Sequence, residues 1–208
     1  KQKIINIINK RLKNKINNVL KSHINLKNLK EQNSSIKALA YQLYENNGVL
    51  KREQVSNYLK NLGQNERKIL RDLGVKFGRY HVFLFKLIKP EAVSLRTLLW
   101  KNYHQKYFNL KPPIFGLNFV DDENFKNKNF MLLCGFEKFD NFYVRIDILE
   151  RLFMQIINSN SEEKKETKMV PEMINLLGCT KDNFKKLLKS MGYKVREEKD
   201  ELFFKYAP

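Results

Sequence analysis

Leu73 to Trp100 reads LGVKFGRYHVFLFKLIKPEAVSLRTLLW, and the reading of the whole chain starts from it. Gly74 and Gly78 bracket a short loop, where glycine admits backbone conformations closed to other residues. Arg79 to Lys86 then alternates two sets of side chains: Tyr80, Val82 and Leu84 point one way, His81, Phe83 and Phe85 the other. Both sets are mostly apolar, so the strand is expected to be covered on both faces. Lys89-Pro90-Glu91 opens a helix, because proline lacks an N–H where none is needed and a carboxylate suits the positive helix end. Ala92, Leu95, Leu99 and Tyr103 mark one face of that helix, which is expected to reach about Tyr107. Phe83 and Trp100 are read as core side chains.

Upstream, residues 2–22 carry Ile4, Ile8, Leu12, Ile16 and Leu20 at a spacing of four, the mark of an amphipathic helix, with Lys10, Arg11, Lys13 and Lys15 off the stripe. A basic helix laid on phosphates and a surface helix with solvated lysines both fit it. A helix lying on a membrane surface fits too, but no aromatic anchor accompanies it. Three more helices follow: residues 34–47, about 51–62, and one capped by Asn65 that stops at Gly74. The first seventy residues thus read as a small bundle.

Downstream, Pro112-Pro113 and the run DDENFKNKN break the pattern, and residues 108–128 read as a linker or strap. From Asn129 the expectation is a strand over Phe130–Phe136, a turn, a strand or helix lead-in at Phe142–Arg145, and a helix to about Asn158. A solvated loop follows at SEEKKETK, 161–168. Pro171 starts a short helix ending at Gly178, and Thr180 caps another ending at Gly192. Tyr193–Glu197 and Leu202–Tyr206 then pair as a hairpin. That order is winged-helix-like, with helix-turn-helix spacing over 170–192. The fold class is therefore mainly α with small β elements: a helical bundle with a central strand-helix unit over 1–107, the strap over 108–128, and a winged-helix-like unit over 129–208.

The chain has 208 residues, 40 Lys and Arg against 22 Asp and Glu, and a net charge of +18. Such an excess favours an anionic partner, nucleic acid first, although AT-rich coding also raises lysine content. Two distant cysteines and three scattered histidines give no zinc spacing. Asp121-Asp122-Glu123 reads as a solvated loop. No GxxxxGK[ST] occurs, so the chain holds no P-loop, and nothing in it argues for catalysis. No stretch is long and apolar enough for a membrane span. With no Met before Met131, the chain reads as a piece of a longer protein or a processed product.

Several segments together resemble one family. They are LKSHI (20–24), IKALAYQLYENNGVLKREQV (36–55), the stretch 73–100, PPIFGL (112–117), Gly135-Phe136 with VRIDILERL (144–152), and INLLGCTKDNFKKLLKSMGY (174–193). In this order they look like the C-terminal region of alphaproteobacterial superfamily 2 ATP-dependent helicases, relatives of the mitochondrial degradosome RNA helicase. Relatives have proline where this chain has Phe85, which leaves the strand end there open. The resemblance implies motor domains upstream of Lys1, which would hold ATP and Mg, with no cofactor in this part. It implies a bacterial cytoplasmic accessory region that helps guide a single strand of RNA or DNA.

The residues assigned to backbone contact are Lys76, Arg79, Lys86, Lys89 and Arg96 around the central stretch, and Lys185, Lys186 and Lys189 on the helix after Thr180. The competing reading is a structural module that docks protein, bracing the motor or binding a nuclease, without touching nucleic acid.

Overall fold

The structure, a computed structural model, describes residues 2–30, 34–159 and 166–207. Most of the loop expected at 161–168 lies outside the described residues. The chain divides into two compact units, Lys1–Pro112 with Leu133–Gly135, and Pro113–Leu132 with Phe136–Pro208. Among the described residues it is mainly α with three small antiparallel sheets.

In the first unit, α1 (Gln2–Val19) and α2 (Lys21–Lys27) lead into α3 (Ser34–Glu45). Helix α3 forms the middle of the core. Ile36, Leu39, Ala40 and Leu43 recur at helical spacing and are buried. Truncating any one of the larger three to alanine should cost about 2–5 kcal/mol. Next come β1 (Val49–Lys51), a 3₁₀ turn over Arg52–Val55, α4 (Ser56–Lys60), α5 (Gln64–Asp72), β2 (Val75–Phe77) and β3 (His81–Leu84). Strand β1 breaks the expected run of helices. At three residues it is too short to show a period of two. It is set up by Asn47 and Gly48, both at positive φ, and a Cβ on Gly48 would lie 2.5 Å from Leu87 Cδ1.

Strand β3 is the middle strand, pairing Leu50 with Val82 on one side and Val75 with Leu84 on the other. All four of its residues are buried, as two apolar faces require. It ends at Leu84, short of Lys86. Phe85–Ile88 is a 3₁₀ turn that drives Leu87 and Ile88 into the interior, and Pro90 then opens α6 (Pro90–Tyr103). Ala92 and Leu95 of α6 are buried and Leu99 packs on the same core, but Tyr103 is 85% exposed. The expectation for Trp100 needs correcting. It is half-buried, stacked on Tyr107 rather than packed in the core, whereas Phe83 is buried.

The second unit contains β4 (Phe119–Asp121), β5 (Phe136–Phe139) and β6 (Phe142–Arg145) in one sheet. Helix α8 (Ile146–Ser159), β7 (Thr167–Lys168), α9 (Pro171–Leu177), α10 (Lys181–Ser190), β8 (Tyr193–Glu198) and β9 (Glu201–Tyr206) follow. The strand expected at Phe130–Phe136 is instead helix α7 (Lys128–Leu133) with β5 beginning only at Phe136. A short apolar run does not separate strand from helix by period. The deciding group is Asn127, whose Oδ1 accepts from the Phe130 N–H at 2.9 Å and starts the helix. Thr180 caps α10 through a bond from the Asn183 N–H. Phe184, Leu187 and Leu188 of α10 are fully buried, and Phe184 meets Phe204 edge-on at 6.1 Å.

Among the described residues one pattern recurs three times: strand, helical segment, helix, strand, strand. It runs β1 to β3, then β4 to β6, then β7 to β9. Each sheet has its third strand in the middle, in the orders β1-β3-β2, β4-β6-β5 and β7-β9-β8. This is winged-helix connectivity, a helix-turn-helix followed by a hairpin. The same residue breaks each copy before its hairpin: Gly74, Gly135 and Gly192, at φ 94°, 87° and 85°. Apolar residues stand five, four and one positions before each of these glycines, as Ile69, Leu70 and Leu73, then Phe130, Met131 and Cys134, then Leu187, Leu188 and Met191.

Candidate nucleic-acid interface

Charge is distributed unevenly over the copies. Residues 1–30 carry nine Lys and Arg and no acid, and 34–89 carry eleven against four. Residues 146–207 carry twelve against eleven. The field that would attract a polyanion therefore originates in the first ninety residues, not in the last copy.

The first hairpin is built to stand firm. Arg52 donates from its backbone N–H to Tyr80 O at 2.8 Å and from Nη1 to Gly78 O at 2.8 Å, which fixes the loop Gly78-Arg79-Tyr80. Arg79 is exposed at its tip. Lys76 is exposed on edge strand β2, while its neighbour Val75 is buried. Lys86 and Lys89 are exposed on the turn after β3, and Lys89 Nζ lies 3.9 Å from the centre of the Phe85 ring. The structure thus places Lys76 and Arg79 on the hairpin and Lys86 and Lys89 just after it. Arg67 is used differently, holding Leu62 O and Leu59 O and so closing the turn before α5.

Arg96 does not belong with them. It is 4% exposed, and its guanidinium donates to Leu87 O at 3.1 Å, Leu133 O at 3.2 Å and Asn47 O at 2.5 Å. Burial lowers its pKa to about 10, which leaves it protonated at neutral pH, and burial pushes the nearby Cys134 thiol up to about 12. Its charge is taken up by three carbonyls, two of them in buried hydrogen bonds. A phosphate cannot approach it, so the assignment of Arg96 to backbone contact is corrected.

In the last copy the expected lysines separate. Lys186 and Lys189 are exposed and form no ion pair with a described residue. Lys185 is paired with Glu197 at 2.5 Å and with Asp182 at 3.6 Å, and Lys181 also reaches Glu197 at 2.5 Å. Hydrogen bonds from Lys181 and Lys185 hold the Glu197 carboxyl down at about 2. Arg196 is paired with Glu198 and Glu166. The hairpin thus covers the base of α10 with carboxylates, and Lys185 forms its ion pairs within the copy.

A group that the sequence reading passed over lies at the end of α6. Trp100 stacks on Tyr107 with ring centres 5.2 Å apart and planes 17° apart, and meets His104 at 4.6 Å with the planes tilted by 46°. Lys106 Nζ lies 4.8 Å from the centre of the Tyr107 ring and Lys101 Nζ 5.8 Å from that of Phe108. Lys101 also donates to Leu110 O at 3.2 Å, which holds the 3₁₀ segment Gln105–Tyr107 and its flanks against the helix end. Tyr103 and Phe108 are 85% and 64% exposed. The signal in the sequence is aromatic and basic residues interleaved without a helical period. Periodicity analysis discards that pattern.

Among the described residues no three His, Cys, Asp or Glu side chains are grouped to hold a metal, and no helix is long and apolar enough to cross a membrane. Both cysteines are free thiols. No family model, curated protein or solved structure matches the chain.

Proposed function

We propose that this chain is an accessory region of an ATP-dependent helicase, lying C-terminal to the motor and binding nucleic-acid backbone without sequence preference. The observation that carries it is the contrast in charge between copies of one fold. Residues 34–89, around the first copy, hold a large basic excess and a hairpin with Lys76 and Arg79 exposed, while residues 146–207, around the last, are nearly neutral. Lysine contacts to phosphate give affinity and salt dependence but not sequence reading. The segments that resemble superfamily 2 helicases supply the parent class. In that reading ATP and Mg act in upstream motor domains, hydrolysis belongs there, and the setting is the bacterial cytoplasm. The near-neutral last copy, with its hairpin carboxylates paired to α10, favours a second role for that part: a rigid brace that docks protein, such as the motor or a nuclease.

The test is a titration with labelled single-stranded RNA and DNA at rising salt, on the chain itself and on two variants. Three contacts removed by Lys76→Glu, Lys86→Glu and Lys89→Glu should reduce the slope of log K against log salt by about 2. Lys186→Glu with Lys189→Glu should change it much less. Absence of binding at about 50 mM salt would leave only the docking reading.

A further inference from the structure

The aromatic group at the end of α6 is not absorbed by backbone contact, because phosphate has no use for exposed rings. Tyr103 and Phe108 present large apolar surface to water, and folding alone gives no reason to keep it there. Between Glu91 and Asp121 the sequence contains no acidic residue, while Lys101, Lys106 and Lys111 lie within it. A partner that matches this surface brings flat apolar faces and negative charge together.

We propose that Trp100, Tyr103, Tyr107 and Phe108, with Lys101 and Lys106, form a platform on which bases of a single strand stack. A single strand meets both demands, since every base has a π-face and every base is followed by a phosphate. A duplex does not, because its bases are already stacked on one another. A protein partner is less well matched. A protein would cover the rings but would not set an anion beside each of them, where Lys106 and Lys101 lie. The platform is rigid where rigidity matters. Trp100 and Tyr107 are stacked on each other, and Lys101 fixes the following segment through Leu110 O. Tyr103 and Phe108 are left as the outer rings. Lysines beside the rings hold the phosphates that flank a stacked base.

This inference rests on the nucleic-acid reading above and adds base stacking to it. It can therefore fail alone. The chain's one tryptophan belongs to the platform, so its fluorescence reports occupancy directly. The experiment compares an oligonucleotide of about ten thymidines with an abasic phosphodiester of equal length, at about 50 mM salt. The chain is compared with Tyr103→Ala/Phe108→Ala and with Tyr103→Phe, each checked for folding by thermal melting.

The expected result is quenching of Trp100 by the base-bearing strand and tighter binding of it than of the abasic strand by about tenfold or more. The double variant should lose that preference yet bind the abasic strand as before, and Tyr103→Phe should retain it. Equal affinity for both strands, with Trp100 unquenched, would overturn the platform and leave the backbone reading standing. A double variant that still prefers the base-bearing strand would overturn it as well. Failure to bind either strand would remove both readings and assign the aromatic surface to a protein partner.

Discussion

Replacing Arg96 with methionine separates a structural arginine from a phosphate-binding one. The methionine keeps most of the aliphatic volume and removes the five-donor fork. Three carbonyls then lose a charged donor: Asn47 O at the entry to β1, Leu87 O in the turn before α6, and Leu133 O at the end of α7. An unsatisfied buried acceptor costs about 1–3 kcal/mol. Against this, the unfolded state no longer gives up the hydration of a guanidinium, which returns several kcal/mol. The net expectation is destabilisation of about 2–4 kcal/mol. For a unit of this size that lowers Tm by about 10 °C or more. Arg96→Lys should recover only part, since an ammonium is a compact point charge and cannot span three carbonyls held by a planar fork. The assay is thermal and urea unfolding followed by circular dichroism, with nucleic-acid affinity measured well below the melting range. Folded Arg96→Met should bind as tightly as the parent chain. Unchanged stability together with a loss of binding would refute the reasoning and return Arg96 to the interface.

Two further expectations concern the repeated architecture. Gly135→Ala should destabilise the first unit more than Gly192→Ala destabilises the second, as measured by urea midpoints. Both glycines have positive φ, but a Cβ at 135 would lie 2.7 Å from Ile88 Cγ2 and 2.9 Å from Ile88 Cβ, against 3.4 Å from Tyr206 Cε2 at 192; equal losses would show that backbone conformation alone matters. The hairpin of the last copy should loosen in acid. Glu197 has its folded pKa lowered from 4.5 to about 2 by Lys181 and Lys185, so its contribution is present above about pH 4.5 and lost as pH falls toward 2. A carboxyl carbon NMR titration should place the Glu197 midpoint well below 4.5, and a midpoint near 4.5 would mean that the lysines do not hold it.

The stretch Leu73–Trp100 made β3 and α6 readable because two physical signals are local. Alternating apolar residues specify a strand covered on both faces, and Lys-Pro-Glu specifies a helix start. The same holds for α3, α10 with its Thr180 cap, and the closing hairpin. Sequence also determined the excess of positive charge and its concentration before residue 90. What tertiary structure alone decided is how each charge is spent. Arg96 and Lys76 are both cations near the same strand. One folds onto three carbonyls donated by segments far apart in sequence, and the other stands in water on an edge strand. No spacing rule distinguishes them, because the carbonyls that capture Arg96 come from residues 47, 87 and 133. The helix at Lys128–Leu133 was hidden for a related reason, since a short apolar run takes its period from its surroundings. The threefold repeat escaped because only a glycine and three apolar positions mark each copy, while sheet order, which makes them equivalent, exists only once the strands have paired. The central stretch itself changed least in outline and most in meaning: its strand and helix stand as read, but its one tryptophan leaves the core and joins an exposed aromatic surface.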